Sequence, residues 1–202
     1  YLQSQINPHF LFNSLNAGAQ LAMMEDAEQT GIFVEKMADF FRYNVKKGQE
    51  DATLGEELEA VDNYIYILNV RFAGDIHFSK DVDESVENVR MPSMILQPVV
   101  ENAVNHGIRD IEWEGQIRLT VTGDADYIRI SVKDNGKGMT QAQIESVLSG
   151  NKERGKEEGD STGIGMNNVI SRLELYYEEK GLVEINSEGE GKGTEVVIYI
   201  PI

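Results

Sequence analysis

Apolar residues return at helical spacing through the first third of the chain. Ile6, Phe10, Leu11, Leu15 and Ala19 form one stripe running on to Met23, and Glu25-Asp26 interrupts it only weakly. Phe33, Met37, Phe40, Phe41 and Val45 repeat the pattern, and Lys46-Lys47-Gly48 supplies basic residues and then glycine, a helix C-terminal signal. Thr53 with Glu56 is a capping-box pattern that opens a further helix through Leu58, Val61, Ile65 and Leu68, ended by Gly74. Residues 1–74 therefore read as a helical hairpin or half-bundle. It carries more apolar face than it can bury alone, and a homodimer would cover the surplus.

Beyond Gly74 the period changes. Ile76-His77-Phe78 begins a short strand, and Pro92 is expected to start a helix whose apolar face is Ile95, Val99, Val100, Ala103 and Val104. Two alternating runs, Ile117/Leu119/Val121 and Ile128/Ile130/Val132, flank a Gly-Asp-Ala-Asp turn and predict a β-hairpin. Thr140 opens a short helix through Ile144, Val147 and Leu148. Residues 149–162, "SGNKERGKEEGDST", are small, charged and glycine-bearing, which predicts a mobile loop. A helix follows from Gly165 through Met166, Val169, Ile170 and Leu173, and strands at 182–187 and 194–200 close the chain around a Gly-rich turn. The expected class is α+β: a helical segment 1–74, then a domain 75–202 with a mostly antiparallel sheet backed by helices.

Charge and composition narrow the function. Eighteen basic against thirty-five acidic residues give a net charge of −17, which argues against non-specific nucleic-acid binding and against adhesion to anionic lipid. The absence of cysteine excludes disulfides and thiol or zinc-thiolate chemistry. No apolar run approaches the ~18 residues of a membrane span. The chain begins with Tyr1, on an apparently helical segment, and reads as a piece of something longer.

Three polar stretches stand out, each of which taken alone has an ordinary reading. "QPVVENAVNHG" (97–107) sets Glu101, Asn102 and Asn105 on neighbouring helical positions, where an amide and a carboxylate suit an oxygen-ligated Mg²⁺, although a solvated helix face would look the same. "DNGKG" (134–138) follows a strand; Asp134 is an acceptor-only carboxylate able to meet an exocyclic amine, while Gly136 and Gly138 allow close approach, unless this is a common turn. "STGIG" (161–165) enters a helix whose N-terminus can receive phosphate, without being a Walker A or Rossmann fingerprint. A fourth stretch, "QINPHFLFN" (5–13), puts His9 after Asn-Pro and four residues before Asn13; by itself it fits a half-buried histidine at a helix seam.

Order and context make the set specific. The chain resembles sensor histidine kinases of the LytS/YesM-like class, and residues 75–202 resemble the ATP-binding domain shared with DNA gyrase B and the heat-shock chaperone of that superfamily. "LQPVVENAVNHGI" is similar to the N box, "DNGKGM" to the G1 box and "GIGMNNVISRL" to the G2 box, and "QINPHFLFN" to the phosphoacceptor signature. The resemblance implies a Bergerat-type α/β sandwich after a dimerising phosphoacceptor segment, with ATP and Mg²⁺ as cofactors. It implies that His9 accepts phosphate, that Asn102 ligates Mg²⁺ and that Asp134 bonds the adenine amine. Asn105, His106, Gly136, Gly138, Met139, Thr162, Gly163, Ile164, Gly165 and Met166 would line the nucleotide, under a lid formed by 149–162. Lys152, Arg154 and Lys156 stand in that lid among four acids, and none is favoured as a phosphate contact. The implied partners are a response regulator and a second copy of the chain. The fragment would be cytoplasmic, its parent anchored in a bacterial membrane.

Two departures bear on the reaction. Asn105 stands where related domains often carry lysine. Pro98 stands one helical turn before Asn102, where the superfamily's ATPases carry a water-activating glutamate, which favours phosphoryl transfer to His9 over hydrolysis. Imidazole suits that role, since roughly three-quarters of it is neutral and nucleophilic at pH 7. Phe10 follows His9 where many histidine kinases have an acid, so Glu101 becomes the candidate proton acceptor. Asn13 matches an offset at which such kinases orient water towards a regulator's acyl phosphate. The competing classes are a conformational ATPase, opposed by Pro98, a serine kinase acting on a partner protein, opposed by His9 and its helices, and a degenerate kinase that only binds.

Overall fold

The structure, a computed structural model, describes residues 8–46, 51–72, 76–109, 111–150 and 162–202, with side chains except at 8–14, 46 and 162–164. Helix α1 (Pro8–Met24) opens with proline, whose missing N–H and fixed φ suit a first turn. Glu25-Asp26 does more than interrupt the stripe. Asp26 takes a left-handed φ of 57° and the chain reverses into α2 (Glu28–Lys46). The two helices pack closely, for a Cβ on Gly31 would lie 2.6 Å from the Met23 methyl. The expected helix end at Lys47-Gly48 falls outside the described residues.

A short strand β1 (Asp51–Thr53) leads into α3 (Leu54–Arg71), and the expected capping box is formed: the Thr53 hydroxyl accepts from the Glu56 N–H, and the Glu56 carboxylate from the Thr53 N–H. Gly74, expected to end this helix, is outside the described residues. Strand β2 (Ile76–Val82) is longer than the expected Ile76–Phe78, and a 3₁₀ turn (Glu84–Val86) follows.

Pro92 does not start a helix. It ends β3 (Arg90–Pro92), which pairs antiparallel with β1, Ala52 opposite Met91. Helix α4 (Leu96–Asn102) begins four residues later. What starts it is tertiary. The Glu57 carboxylate, fully buried on α3, accepts from the backbone N–H groups of Met94 (2.6 Å), Ile95 (2.8 Å) and Leu96 (2.7 Å), donors that a helix N-terminus otherwise leaves unpaired. The proline that does sit in a first turn is Pro98, where no intrahelical N–H is needed. The helix then widens into a π segment, Ala103–Ile108.

The expected hairpin is β4 (Gly115–Gly123) and β5 (Tyr127–Asp134), with Leu119 opposite Val132 and Val121 opposite Ile130. The turn is tied by Asp124, whose carboxylate accepts from the N–H of Asp126 and of Tyr127 at 2.9 Å each. After α5 (Gln141–Ser149) and α6 (Thr162–Tyr177), strands β6 (Val183–Asn186) and β7 (Glu195–Pro201) complete a five-stranded sheet of order β2-β4-β5-β7-β6. Only the β2–β4 pair is parallel. Helix α6 starts three residues earlier than Gly165. The alternation of β5 buries Ile128, Ile130 and Val132 with Leu96, Val99, Val100, Val169 and Leu173 of the helices in one core. On the other face Arg129 and the Ser131 hydroxyl both donate to Glu195.

Candidate active site

The parity that buries Ile128, Ile130 and Val132 also turns Asp134, the last residue of β5, towards the helix layer. It is buried, with 6% of its surface exposed. Its Oδ1 accepts from the Gly136 N–H at 2.8 Å and the Thr194 N–H at 3.3 Å. Both bonds fall on one oxygen, so among the described residues Oδ2 accepts none. Burial raises the Asp134 pKa, and the two backbone donors oppose that rise.

Two glycines make room around it. A Cβ on Gly107 would lie 2.8 Å from the Asp134 carboxyl, and one on Gly136 would lie 2.1 Å from the Gly107 carbonyl oxygen. That carbonyl accepts the Lys137 N–H at 3.0 Å. The π segment thus brings backbone, rather than a side chain, against the loop after β5. π turns of this kind are frequent at functional sites. The neighbouring Asn135 is structural: its amide accepts from the Gln116 N–H and donates to the Glu114 carbonyl, pinning the loop to β4. Gly138 is left-handed (φ 70°), and the Met139 N–H donates to the Ser187 hydroxyl at 3.0 Å.

Asn102 ends α4, and its Nδ2 is buried with no hydrogen-bond partner. Facing it is the first turn of α6: a Cβ on Gly165 would lie 3.8 Å from the Asn102 Oδ1. Thr162, Gly163 and Ile164 form that turn, Met166 is buried just behind it, and His106 is half-buried in the π segment. Asn105 is exposed. Glu101 accepts from the Gln97 amide at 2.8 Å. The structure therefore sets the Asn102 amide against the first turn of α6 and the buried Asp134 against Gly107 and the glycine loop, the two pairs joined by the continuous helix 96–108. His9 and Asn13 lie one turn apart in α1, and their side chains are outside the described residues. So are residues 151–161, with Lys152, Arg154 and Lys156 of the expected lid.

These residues fit an adenine nucleotide. The buried Asp134 carboxylate keeps one oxygen free to accept from an exocyclic amine, the glycines leave space, and the N-terminus of a 16-residue helix offers N–H groups to phosphate. Among the described residues no three His, Asp or Glu side chains gather into a metal site, so a Mg²⁺ here would rest on Asn102 and on phosphate oxygens. Sequence reasoning missed Gly107 and the Thr194 N–H, both of which hold Asp134, and the Gly of "NHG" was the available signal.

A helical hairpin followed by this helix-backed sheet is the architecture of an ATPase-type domain preceded by a helix pair, and the family comparison agrees. The chain belongs to the family described as histidine kinase-, DNA gyrase B- and HSP90-like ATPase, whose model matches residues 89–202, and its residues 1–76 match the histidine kinase model. It is 37% identical to the sensor histidine kinase YpdA of Escherichia coli over 99% of this chain and 33% of that protein. It is 33% identical to the sensor histidine kinase YesM of Bacillus subtilis over 99% and 32%. The chain thus spans about a third of the curated relatives it matches. Among solved structures, the histidine kinase domain of the Erythrobacter litoralis EL346 blue-light activated histidine kinase aligns with a TM-score of 0.51 at 18% identity, covering 96% of this chain and 95% of that one. The mycobacterial sensor histidine kinase MprB gives 0.53 at 18%, over 75% and 96%. At that identity the likeness is one of fold.

Proposed function

We propose that this chain uses Mg-ATP to phosphorylate His9 and passes the phosphoryl group to an aspartate of a response regulator. The observation that carries the reading is the buried Asp134 with one oxygen unpaired, set against the Gly136 N–H and against Gly107, on the helix that carries Asn102 five residues earlier. Asp134 accepts the adenine amine and excludes water from that edge of the base. The first turn of α6 receives the phosphates. Asn102 would hold a Mg²⁺ ion, which when bound would neutralise charge on the phosphate oxygens.

The His9 imidazole attacks the γ-phosphorus in line; an N–P bond forms, the bond to the ADP oxygen breaks, and the ring proton leaves to a base, for which Glu101 is the candidate. Pro98 occupies the position one turn before Asn102 and cannot activate water, which favours histidine as the acceptor. In the same reading a second copy covers the apolar face of the hairpin, where Leu21, Met23 and Met24 are exposed. Asn13 positions water during dephosphorylation of the regulator, and the parent protein is membrane-anchored with this part in the cytoplasm.

The test is incubation with γ-labelled ATP and Mg²⁺. Acid-labile, base-stable label that moves to a receiver domain is the expected result. Label that is acid-stable, or release of free phosphate with no labelled protein, would refute the proposal.

A further inference from the structure

The bend between β3 and α4 is held from three directions. Glu57 on α3 accepts from the N–H groups of Met94, Ile95 and Leu96. From α6, which carries the candidate phosphate turn at its start, the Arg172 guanidinium donates to the Ser93 carbonyl at 2.6 Å. From α2, the Tyr43 hydroxyl donates to Glu57 Oε1, the oxygen that also takes the Met94 N–H. Met94 itself sits at φ 62°, a left-handed conformation that a side chain-bearing residue adopts only when its surroundings impose it. Glu57 is fully buried, so its bonds are not shared with solvent. Burial, with the Glu57 carboxylate alongside, pushes the Tyr43 hydroxyl above the usual tyrosine range and keeps it a donor.

We infer that Glu57 is a positioning residue for the nucleotide site, and that its bond to Tyr43 links the phosphoacceptor hairpin to that site. Glu57 sets where α4 begins. Asn102 lies six residues on, at the end of the same short helix, so a shift at the bend moves its amide. Tyr43 carries the position of α2 to the same carboxylate. The linkage is reciprocal: nucleotide at Asn102 and Gly165 alters the freedom of the α2 end, and release of α2 loosens the start of α4. None of this is visible in sequence, where Glu57 reads as one more acid in "GEELEAVD".

The inference rests on the nucleotide reading above, and the test separates the two. Mg-ADP is titrated into the whole chain, and amide exchange is followed at 40–45 and 94–96 with and without it. Each variant is studied well below its own melting temperature. In the wild type, Mg-ADP is expected to slow exchange at both segments. Tyr43→Phe keeps the ring and removes the hydroxyl. It is expected to bind Mg-ADP within about threefold of wild type while losing the response at 40–45. Glu57→Gln is expected to lose that response and about tenfold in Mg-ADP affinity. The double variant should be no worse than Glu57→Gln, because Tyr43 acts through Glu57. A response at 40–45 that persists in Tyr43→Phe, or one absent from the wild type, overturns the linkage. Wild-type affinity in Glu57→Gln overturns the positioning role. A wild-type chain that does not bind Mg-ADP overturns the nucleotide reading, and this inference with it.

Discussion

In the sheet domain Ile117, Leu119, Ile128, Ile130, Ile198 and Ile200 are each 1% exposed or less, whereas across the described side chains of α1 and α2 the buried residues are Ala22, Gly31 and Ala38. The sheet domain closes its core with α4 and α6 on one face, and Leu58, Val61 and Ile65 of α3 join the same core. The hairpin leaves Met24 83% and Leu21 55% exposed, side chains that nothing among the described residues covers. The two regions therefore suit different tasks. In the proposed function the closed core holds Asp134 and Asn102 for a nucleotide, and the open helix pair is the surface left for a second copy and a regulator.

The largest break of this contrast should come from Gly136→Ala. Its Cβ has no place beside the Gly107 carbonyl, and backbone must move to admit it. We expect a loss of about 3 kcal/mol of stability and about 100-fold in Mg-ADP affinity, with self-association intact. Thermal melts, nucleotide titration and light scattering check the three parts. A variant that binds nucleotide normally would remove the close approach from the account.

Asp134→Asn acts within the site without disturbing its packing. ATP affinity should fall by about 30-fold, and most of the preference for ATP over GTP should go, because guanine presents a carbonyl where adenine presents an amine. Competition binding with both nucleotides measures it, and unchanged selectivity would rule out the role.

Met24→Asp tests the open region. It should weaken self-association by about tenfold, from roughly 1.5 kcal/mol of lost apolar burial, and leave Mg-ADP affinity at the wild-type value. Equal masses by sedimentation across micromolar concentrations would place the interface elsewhere.

The smallest effect is on the solvent face of the sheet. Hydrogen bonds from Ser131 and Arg129 hold the Glu195 carboxyl below its usual 4.5. A depressed folded pKa stabilises above the unfolded value and is lost as pH falls through the folded one. Glu195→Gln should therefore lower stability at pH 7 by less than about 1 kcal/mol, the side chain being partly exposed, and the difference should close below pH 4.5. Melts of both proteins across that range check the sign.

Legibility followed the same division. The β4–β5 hairpin was readable because alternation of Ile117, Leu119 and Val121 against Ile128, Ile130 and Val132 is a local consequence of strand geometry. The Thr53 capping box was readable for a similar reason, since both partners lie within one turn. Asp134 and Asn102 were singled out by motif, but what holds them was not. Gly107 presses on Asp134 from 27 positions earlier in the chain, and Thr194 bonds it from 60 later. Pro92 misled because its conformation also suits a strand end, and the pairing with Asp51 that keeps it there is tertiary. The start of α4 was invisible because its cap is Glu57, 37 residues from Met94.

In the proposed function labour is divided, with nucleotide in the sheet domain and the phosphate acceptor in the hairpin. His9→Gln tests this division most directly, with γ-labelled ATP incorporation and Mg-ADP affinity measured on one preparation. Incorporation should vanish while affinity stays within about twofold of wild type, because the acceptor makes no part of the binding site. Comparable label on the variant, or loss of label and affinity together, would contradict the account.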